Sequence, residues 1–277
     1  MKRIALATCT AWPKLTDDDN LLIPALRQLN IEAVAVVWDE PAKWAQYDQV
    51  VIRSCWDYHL NPEKFLGWIE NLEASCISVQ NTPSLIRWNA DKRYLRQLRA
   101  AGISIPPTVW IEDREEISAQ EILEAQGWVS GVVKPTVSAS AHNLRRVFKD
   151  EPLFQVTGPA IIQQFVPEIV SCGEWSLVFL GGEYSHAVIK RPTSGDFRVQ
   201  CQFGGSAALA EPPAELVDEA AKVIASLPDE PMYARIDGVD CAGTFVLMEA
   251  ELIEPVLFLG LGNAARRLAE AIVGRMS

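Results

Sequence analysis

Near the C-terminus the sequence reads YARIDGVDCAGTFVLMEAELIEP, with acids set into an apolar run. Phe245, Val246, Leu247 and Met248 have the continuous apolar character of a strand covered on both faces. Side chains alternate across a strand, so Glu249 and Glu251 share one face about 7 Å apart. At an effective dielectric of about 20 two carboxylates at that spacing repel by about 2 kcal/mol. Two readings follow. The acids can lie on the wet face of a strand that ends at Glu254-Pro255, or they can join Asp237 of Arg235-Ile236-Asp237 around a hard cation such as Mg2+, which takes oxygen ligands.

Other stretches carry groups suited to anions and small polar molecules. Arg53 closes an apolar strand and opens the donor- and acceptor-rich run Arg53-Ser54-Cys55-Trp56-Asp57-Tyr58-His59. That run suits gripping a small polar substrate, and an Arg–Asp pair with Trp packing is its structural alternative. Lys134-Pro135 leads into the small residues Ser138, Ala139, Ser140 and Ala141. An ammonium group before a small-residue turn suits phosphate, whose oxygens can approach the backbone N–H groups. His59 has no charged partner in view.

The elements that must position these groups follow from the patterning. The first 80 or so residues alternate strand and helix signals: RIALATC, LLIPALRQLN, EAVAVVW, QVVIRSC, PEKFLGWIENLEA and CISVQN. That alternation predicts βαβ units and a mostly parallel sheet, with ligands at the strand C-terminal ends. Two loops lie there, one with Trp12 and Asp17-Asp18-Asp19, the other with Arg53 to His59. Asn81-Thr82-Pro83-Ser84 reads as a linker, followed by one helix over LIRWNADKRYLRQLRAAG that stops at Gly102. Beyond it come a strand PPTVWIE, a helix SAQEILEAQG, strands in WVSGVVKP and PAIIQQFV, and a hairpin turning at Gly181-Gly182. A helix PAELVDEAAKVIASL, two more strands and a final helix GNAARRLAEAIVGRM complete the chain.

The 277 residues are 49% apolar and 22% charged, with a net charge of -11. They suffice for two or three subdomains. The acidity argues against nucleic acid and anionic membranes as partners, both of which are held by clustered Lys and Arg. Six scattered cysteines without a C-x-x-C pair fit a reducing, cytoplasmic setting. Met1-Lys2-Arg3 and the short apolar run after it read as a first strand rather than a signal peptide. No run approaches the length of a membrane span.

The ordered series Lys92, Lys134, IIQQFV, Glu174 in GEWSLV, Lys190, Arg235-Ile236-Asp237 and Glu249-Ala250-Glu251 resembles the ATP-grasp superfamily over essentially the whole chain. Within it, RSCWDYH, IRWNADKRYL and ELIEPVLFL are similar to the cyclo-ligases that close the cycloserine ring. GDFRVQCQFGG resembles the ligases that add glutamate to ribosomal protein.

The resemblance implies an α/β and α+β fold: a Rossmann-like substrate-side domain over residues 1–83, a small ATP-grasp subdomain over 84–165, and a C-terminal subdomain with the metal site over 166–277. It implies that Lys92, Lys134 and Ser138 meet the nucleotide phosphates, that Gln163, Gln164, Phe165 and Val166 form the adenine hinge, and that Glu174 accepts from the ribose. Lys190 and Arg198 would reach the phosphates, Arg235 would steady an acyl phosphate, and Asp237, Glu249 and Glu251 would ligate Mg2+ or Mn2+, with two ions expected. Arg53, Trp56, Asp57 and Tyr58 would select the substrate.

The implied activity is an ATP-dependent carboxylate–amine ligase acting on a small amino-acid-like carboxylate, joining two molecules or closing one into a ring. A phosphotransferase and a silent nucleotide-binding module are the alternatives, and a homodimer is left open. The sequence departs from the family pattern in two places. Glu251 stands where the family commonly has Asn, and the loop after Lys134 carries Ser and Ala in place of Gly.

Overall fold

Three main sheets follow one another along the chain, and a computed structural model describes them over residues 1–113, 115–139 and 141–276. Ser140 therefore lies outside the described residues. The first sheet is parallel, in the order β2-β1-β3-β4, built from β1 (Lys2–Thr8), β2 (Ile31–Val37), β3 (Gln49–Ser54) and β4 (Ser78–Gln80). Short helices α1 (Asp17–Asn20) and α2 (Leu22–Gln28) and the longer α3 (Pro62–Ala74) connect its strands. The start of α3 is written locally. Asn61 accepts from the Lys64 N–H, and Pro62 occupies the first turn, where its missing donor costs nothing.

Two short helices, α4 (Pro83–Asn89) and α5 (Tyr94–Ala100), then replace the single helix expected over this stretch. The break has a physical cause. The Asn89 amide leaves the helix to donate to Ala250 O at 2.8 Å and to accept from Leu252 N–H at 3.0 Å, Lys92 N–H donates to Thr136 O at 2.7 Å, and Asp91 accepts from Arg93 N–H. Opening the helix there turns Lys92 toward the cleft.

Residues 108–164 supply β5 (Thr108–Ile111), β6 (Glu116–Ser118), β7 (Ser130–Pro135), β8 (Arg145–Phe148), β9 (Gln155–Thr157) and β10 (Ala160–Gln164), with α6 (Ala119–Gln126) between β6 and β7. The antiparallel order is β5-β10-β7-β8, and β6 and β9 pair separately. After α7 (Glu168–Ser171) comes a five-stranded antiparallel sheet, β13-β12-β11-β14-β15, made of β11 (Glu174–Leu180), β12 (Glu183–Arg191), β13 (Ser206–Leu209), β14 (Tyr233–Cys241) and β15 (Thr244–Glu251). The expected hairpin at Gly181-Gly182 joins β11 to β12, and both glycines have positive φ.

One apolar core puts Leu85, Tyr94, Leu95 and Leu98 of α4 and α5, with α8 (Ala214–Ala225), against Leu177, Phe179, Ile236, Phe245 and Leu247 of the third sheet. A second joins Ile4 and Leu6 of β1 and α2 to α9 (Ala264–Gly274) and to Val178 and Leu180. The front sheet and the third sheet thus share a core.

β15 is an edge strand and is not covered on both faces. Phe245, Leu247 and Ala250 are buried in the core, while Val246, Met248, Glu249 and Glu251 are only half-buried. Pairing runs Gly238↔Leu247 and then Asp237↔Glu249, so Met248 is the extra residue of a β-bulge. The bulge puts Met248 and Glu249, consecutive in sequence, on the cleft side together.

Candidate active site

The β14–β15 register sets Asp237 opposite Glu249 and Arg235 opposite Glu251. Alternation aims all four side chains at one face, and Ser176 on β11 extends the row beside Asp237. The third sheet therefore presents a cross-strand array of opposite charges. Asp237 accepts from Arg235 Nε at 2.9 Å, from Lys190 Nζ at 2.9 Å and from Ser176 Oγ at 2.6 Å. Glu249 is paired with Lys92 Nζ at 2.8 Å, Glu251 with Arg235, and Glu174 with Lys190.

The electrostatics differ from acid to acid. Burial alone would raise the Asp237 carboxyl, but Arg235 and Lys190 outweigh it and hold the group well below the usual range. Burial also opposes ionisation of Glu249, and Lys92 and Lys134 overcome it. Glu251 is the exception. Burial, reinforced by the negative charges of Asp237 and Glu249, pushes it up to about 7 despite Arg235.

Beside the array a narrow pocket of about 70 Å³ reaches the chain segment after β10. Lys134, Gln163, Gln164, Phe165, Val166, Glu174, Arg198, Asp237, Glu249 and Glu251 are among its walls, so most of the residues expected to hold a nucleotide and metal do come together. The N–H groups of Gln164 and Phe165 donate to Pro107 O and Ser130 O, whereas the Val166 N–H has no partner among the described residues. Lys134 donates to Gln163 Oε1 at 2.7 Å, and burial lowers its pKa. Arg198 is paired with Asp196 at 2.7 Å and stacks on Phe203.

A second cavity of about 530 Å³ opens beside the first and shares Lys134, Leu144, Val199, Gln200, Glu249 and Glu251 with it. Lys92, Ser138, Lys190 and Arg235 also line it, and the front sheet contributes Trp12, Trp56 and Tyr58 from the loops after β1 and β3. Lys92 Nζ also donates to Ser138 O at 2.8 Å. These are the strand C-terminal ends where a parallel sheet places its ligands.

Two residues expected with them lie elsewhere. Asp57 accepts from Trp38 Nε1 at 2.8 Å, and Arg53 is 1% exposed, bonded to Asp19 at 2.8 Å and stacked over Tyr233. Neither lines the cavity.

What Arg53 does hold is backbone. Beyond β15 the chain runs irregularly, and each carbonyl from 252 to 257 accepts from a different side chain. The donors, in order, are Asn81 Nδ2 at 2.6 Å, Tyr233 Oη at 3.0 Å, Trp56 Nε1 at 2.9 Å, Arg53 Nη2 at 2.8 Å, Arg235 Nη1 at 3.1 Å and His186 Nε2 at 2.9 Å. Since a carbonyl only accepts, His186 carries its proton on Nε2 there. This segment brings Glu254 and Phe258 to the larger cavity, together with Gln200 and Cys201 from across the cleft. Sequence reasoning missed all four as site residues. ELIEP flagged Glu254 only as a strand end.

Among the described residues no His, Cys, Asp and Glu side chains form a preassembled metal centre. The donor set still suits a hard cation: Asp237, Glu249 and Glu251 offer only oxygen and lie on adjacent strands facing one way.

A parallel α/β domain in front of two antiparallel sheets, with a charged cleft between them, is the ATP-grasp fold, and the chain is an ATP-grasp enzyme of the ligase class. Residues 4–81 match the family described as D-cycloserine synthetase DcsG, N-terminal domain. The chain is 29% identical over 299 residues to the cycloserine biosynthesis protein DcsG of Streptomyces lavendulae, covering 99% of this chain and 98% of that one. It superposes on the crystal structure of D-cycloserine synthetase DcsG with a TM-score of 0.87 and 26% identity, covering 99% of this chain and 100% of that chain. The D-alanine–D-alanine ligase of Bacillus anthracis, complexed with ATP, shares the fold at a TM-score of 0.69 and 16% identity over 100% of this chain and 97% of that one.

Proposed function

We propose that the chain is an ATP- and Mg2+-dependent ligase that activates the carboxylate of a small amino-acid-like substrate and joins it to an amine, on a second molecule or within the same one. The observation that carries the reading is the charge array of Lys92, Lys190, Arg235, Asp237, Glu249 and Glu251, which faces the junction of the hinge-side pocket and the larger cavity.

A carboxylate is a poor acylating agent because its oxygen leaves badly. Transfer of the γ-phosphoryl group from ATP to a carboxylate oxygen gives ADP and an acyl phosphate. The amine then attacks the carbonyl carbon, the C–O bond to phosphate breaks, and phosphate departs as the amide forms. Protein catalysis of phosphoryl transfer rests mainly on positioning and charge neutralisation.

Here the Val166 N–H, without a partner among the described residues, would be the hinge donor for a ring nitrogen of adenine, and Glu174 would accept from the ribose hydroxyls. Lys92 and Lys134 would meet the phosphates from one side of the cleft and Lys190 and Arg198 from the other. Arg235, buried and aimed by Asp237, would neutralise charge on the activated carboxylate. Asp237, Glu249 and Glu251 would hold the divalent cation, which when bound supplies further charge neutralisation at the phosphates.

The test is a hydroxylamine trap, with protein, ATP, Mg2+ and a panel of amino and hydroxy acids. The expected result is a hydroxamate with release of phosphate. A stable phosphorylated product without hydroxamate would instead identify a phosphotransferase, and ATP binding without either product would identify a nucleotide-binding module.

A further inference from the structure

The larger cavity has a corner that phosphate chemistry does not explain. Glu254, Trp12, Trp56 and Phe258 all line it, and the Trp12 and Trp56 rings meet edge to face with centroids 5.7 Å apart. Of the three carboxylates on this cavity, Glu249 is paired with Lys92 and Glu251 with Arg235, while Glu254 has no cationic partner among the described residues. Lys92, the cation whose charge bears on Glu254, is already engaged by Glu249 and by Ser138 O.

The backbone on either side of Glu254 is fixed, since Trp56 donates to its own carbonyl and Tyr233 and Arg53 hold its neighbours. A half-buried carboxylate on so constrained a segment is a built feature; its own backbone N–H donates to it, and its remaining acceptor capacity suits a donor from outside the chain. A second acceptor on the same cavity, Gln200 Oε1, is buried without a partner among the described residues. An acidic group, an unsatisfied amide oxygen and indole faces together match an ammonium group, which offers three donors and a charge attracted to aromatic faces.

We propose that Glu254 is a specificity-determining residue that holds the ammonium group of the substrate against the Trp12, Trp56 and Phe258 rings. The occupant of the cavity is identified by the ligase reading, on which this assignment rests. The carboxylate to be activated lies toward Arg235, and the ammonium group lies toward the front sheet. Amino acids are thereby selected over 2-hydroxy acids of the same shape. Burial and the charges of Glu251 and Glu249 push the Glu254 carboxyl up to about 8, as expected of an acid awaiting a cation.

The experiment compares serine and alanine, both enantiomers, with glycerate and lactate, in the presence of ATP, Mg2+ and hydroxylamine. It uses the full-length protein and its Glu254→Gln and Glu254→Asp variants. Wild type is expected to prefer the amino acids by at least about tenfold in kcat/KM. Glu254→Gln should erase that ratio by raising the amino-acid KM, with hydroxy-acid turnover and ATP KM held, and Glu254→Asp should restore part of it.

Equal losses on both compound classes, a wild-type enzyme indifferent to the amine, or a changed Mg2+ requirement with an unchanged ratio would overturn the assignment. A protein that forms no hydroxamate would instead sink the ligase reading. The subsite is then decided by calorimetric titration of the same four compounds with a non-hydrolysable ATP analogue present. Amine-selective binding lost in Glu254→Gln upholds it, and binding independent of the amine or of Glu254 overturns it.

Discussion

On the nucleotide side of the cleft the side chains are tied to one another, whereas on the front-sheet side they are tied to the backbone. Lys92, Lys190 and Arg235 are each held by a carboxylate of the third sheet, so charge is balanced before any ligand arrives. Asn81, Tyr233, Trp56, Arg53 and His186 hold carbonyls 252–255 and 257 instead, and the acid on that segment, Glu254, is left facing the cavity. The first arrangement can exchange partners when phosphates and a cation bind. The second can only hold a shape.

Breaking the shape-holding side should cost most. Arg53→Ala strands the buried Asp19 carboxylate and frees Pro255 O, for an expected loss of about 3–5 kcal/mol in urea unfolding. Replacing both partners, Arg53→Met with Asp19→Leu, should recover much of it. Unchanged stability with a raised KM for the acid substrate would make Arg53 a substrate ligand after all.

On the charge-exchanging side, Glu249→Gln should leave the far-ultraviolet circular dichroism unchanged and lower ADP release about a hundredfold, a transition-state loss of about 3 kcal/mol. Undiminished turnover would remove Glu249 from the phosphate and metal chemistry.

The contrast also has a pH signature. Because the folded Glu254 carboxyl sits near 8 and the unfolded one near 4.5, the native state binds more protons between those values. Stability should therefore fall as pH rises from about 5 to about 8. With a chelator present, Glu254→Gln should flatten that slope, read as a smaller fall in Tm between about pH 5 and about pH 8. An unaltered slope would show that Glu254 titrates normally.

The smallest effect concerns the hinge. The Arg146 guanidinium lies 3.4 Å from the Phe165 ring centroid, and Phe165 meets Phe197 edge to face. Arg146→Ala should raise the KM for ATP about two- to fivefold with kcat unchanged, the scale of one exposed cation–π contact. A kcat effect without a KM effect would place Arg146 outside nucleotide binding.

Much of this design was legible in the residues and some was not. Alternating apolar runs and turn residues are local signals, and they placed the parallel front sheet, the hinge strand and the Gly181-Gly182 hairpin correctly. Period-two alternation put Glu249 and Glu251 on one face, but the bulge at Met248 depends on pairing with β14 and left no local mark. The same is true of the broken helix at 90–93. Its residues favour helix, and the competing bonds to Ala250, Leu252 and Thr136 come from distant parts of the chain. Arg53 read as a ligand because an Arg at a strand end is equally suited to a carboxylate ligand and to a carbonyl 202 residues away. Glu254 and Phe258 enter the cavity only because that irregular segment folds back across the front sheet.

The donors to carbonyls 252–257 come from both sides of a domain boundary, with Asn81, Trp56 and Arg53 in the front domain and Tyr233, Arg235 and His186 in the third-sheet subdomain. Sliding one past the other would break several of these bonds at once, so the two behave as a single rigid jaw. Any opening and closing of the cleft would then fall to the sheet of residues 108–164, which joins that jaw through 101–107 and 165–167 and also packs on it at Ile161. Such a motion would leave the corner formed by Trp12, Trp56, Glu254 and Phe258 intact.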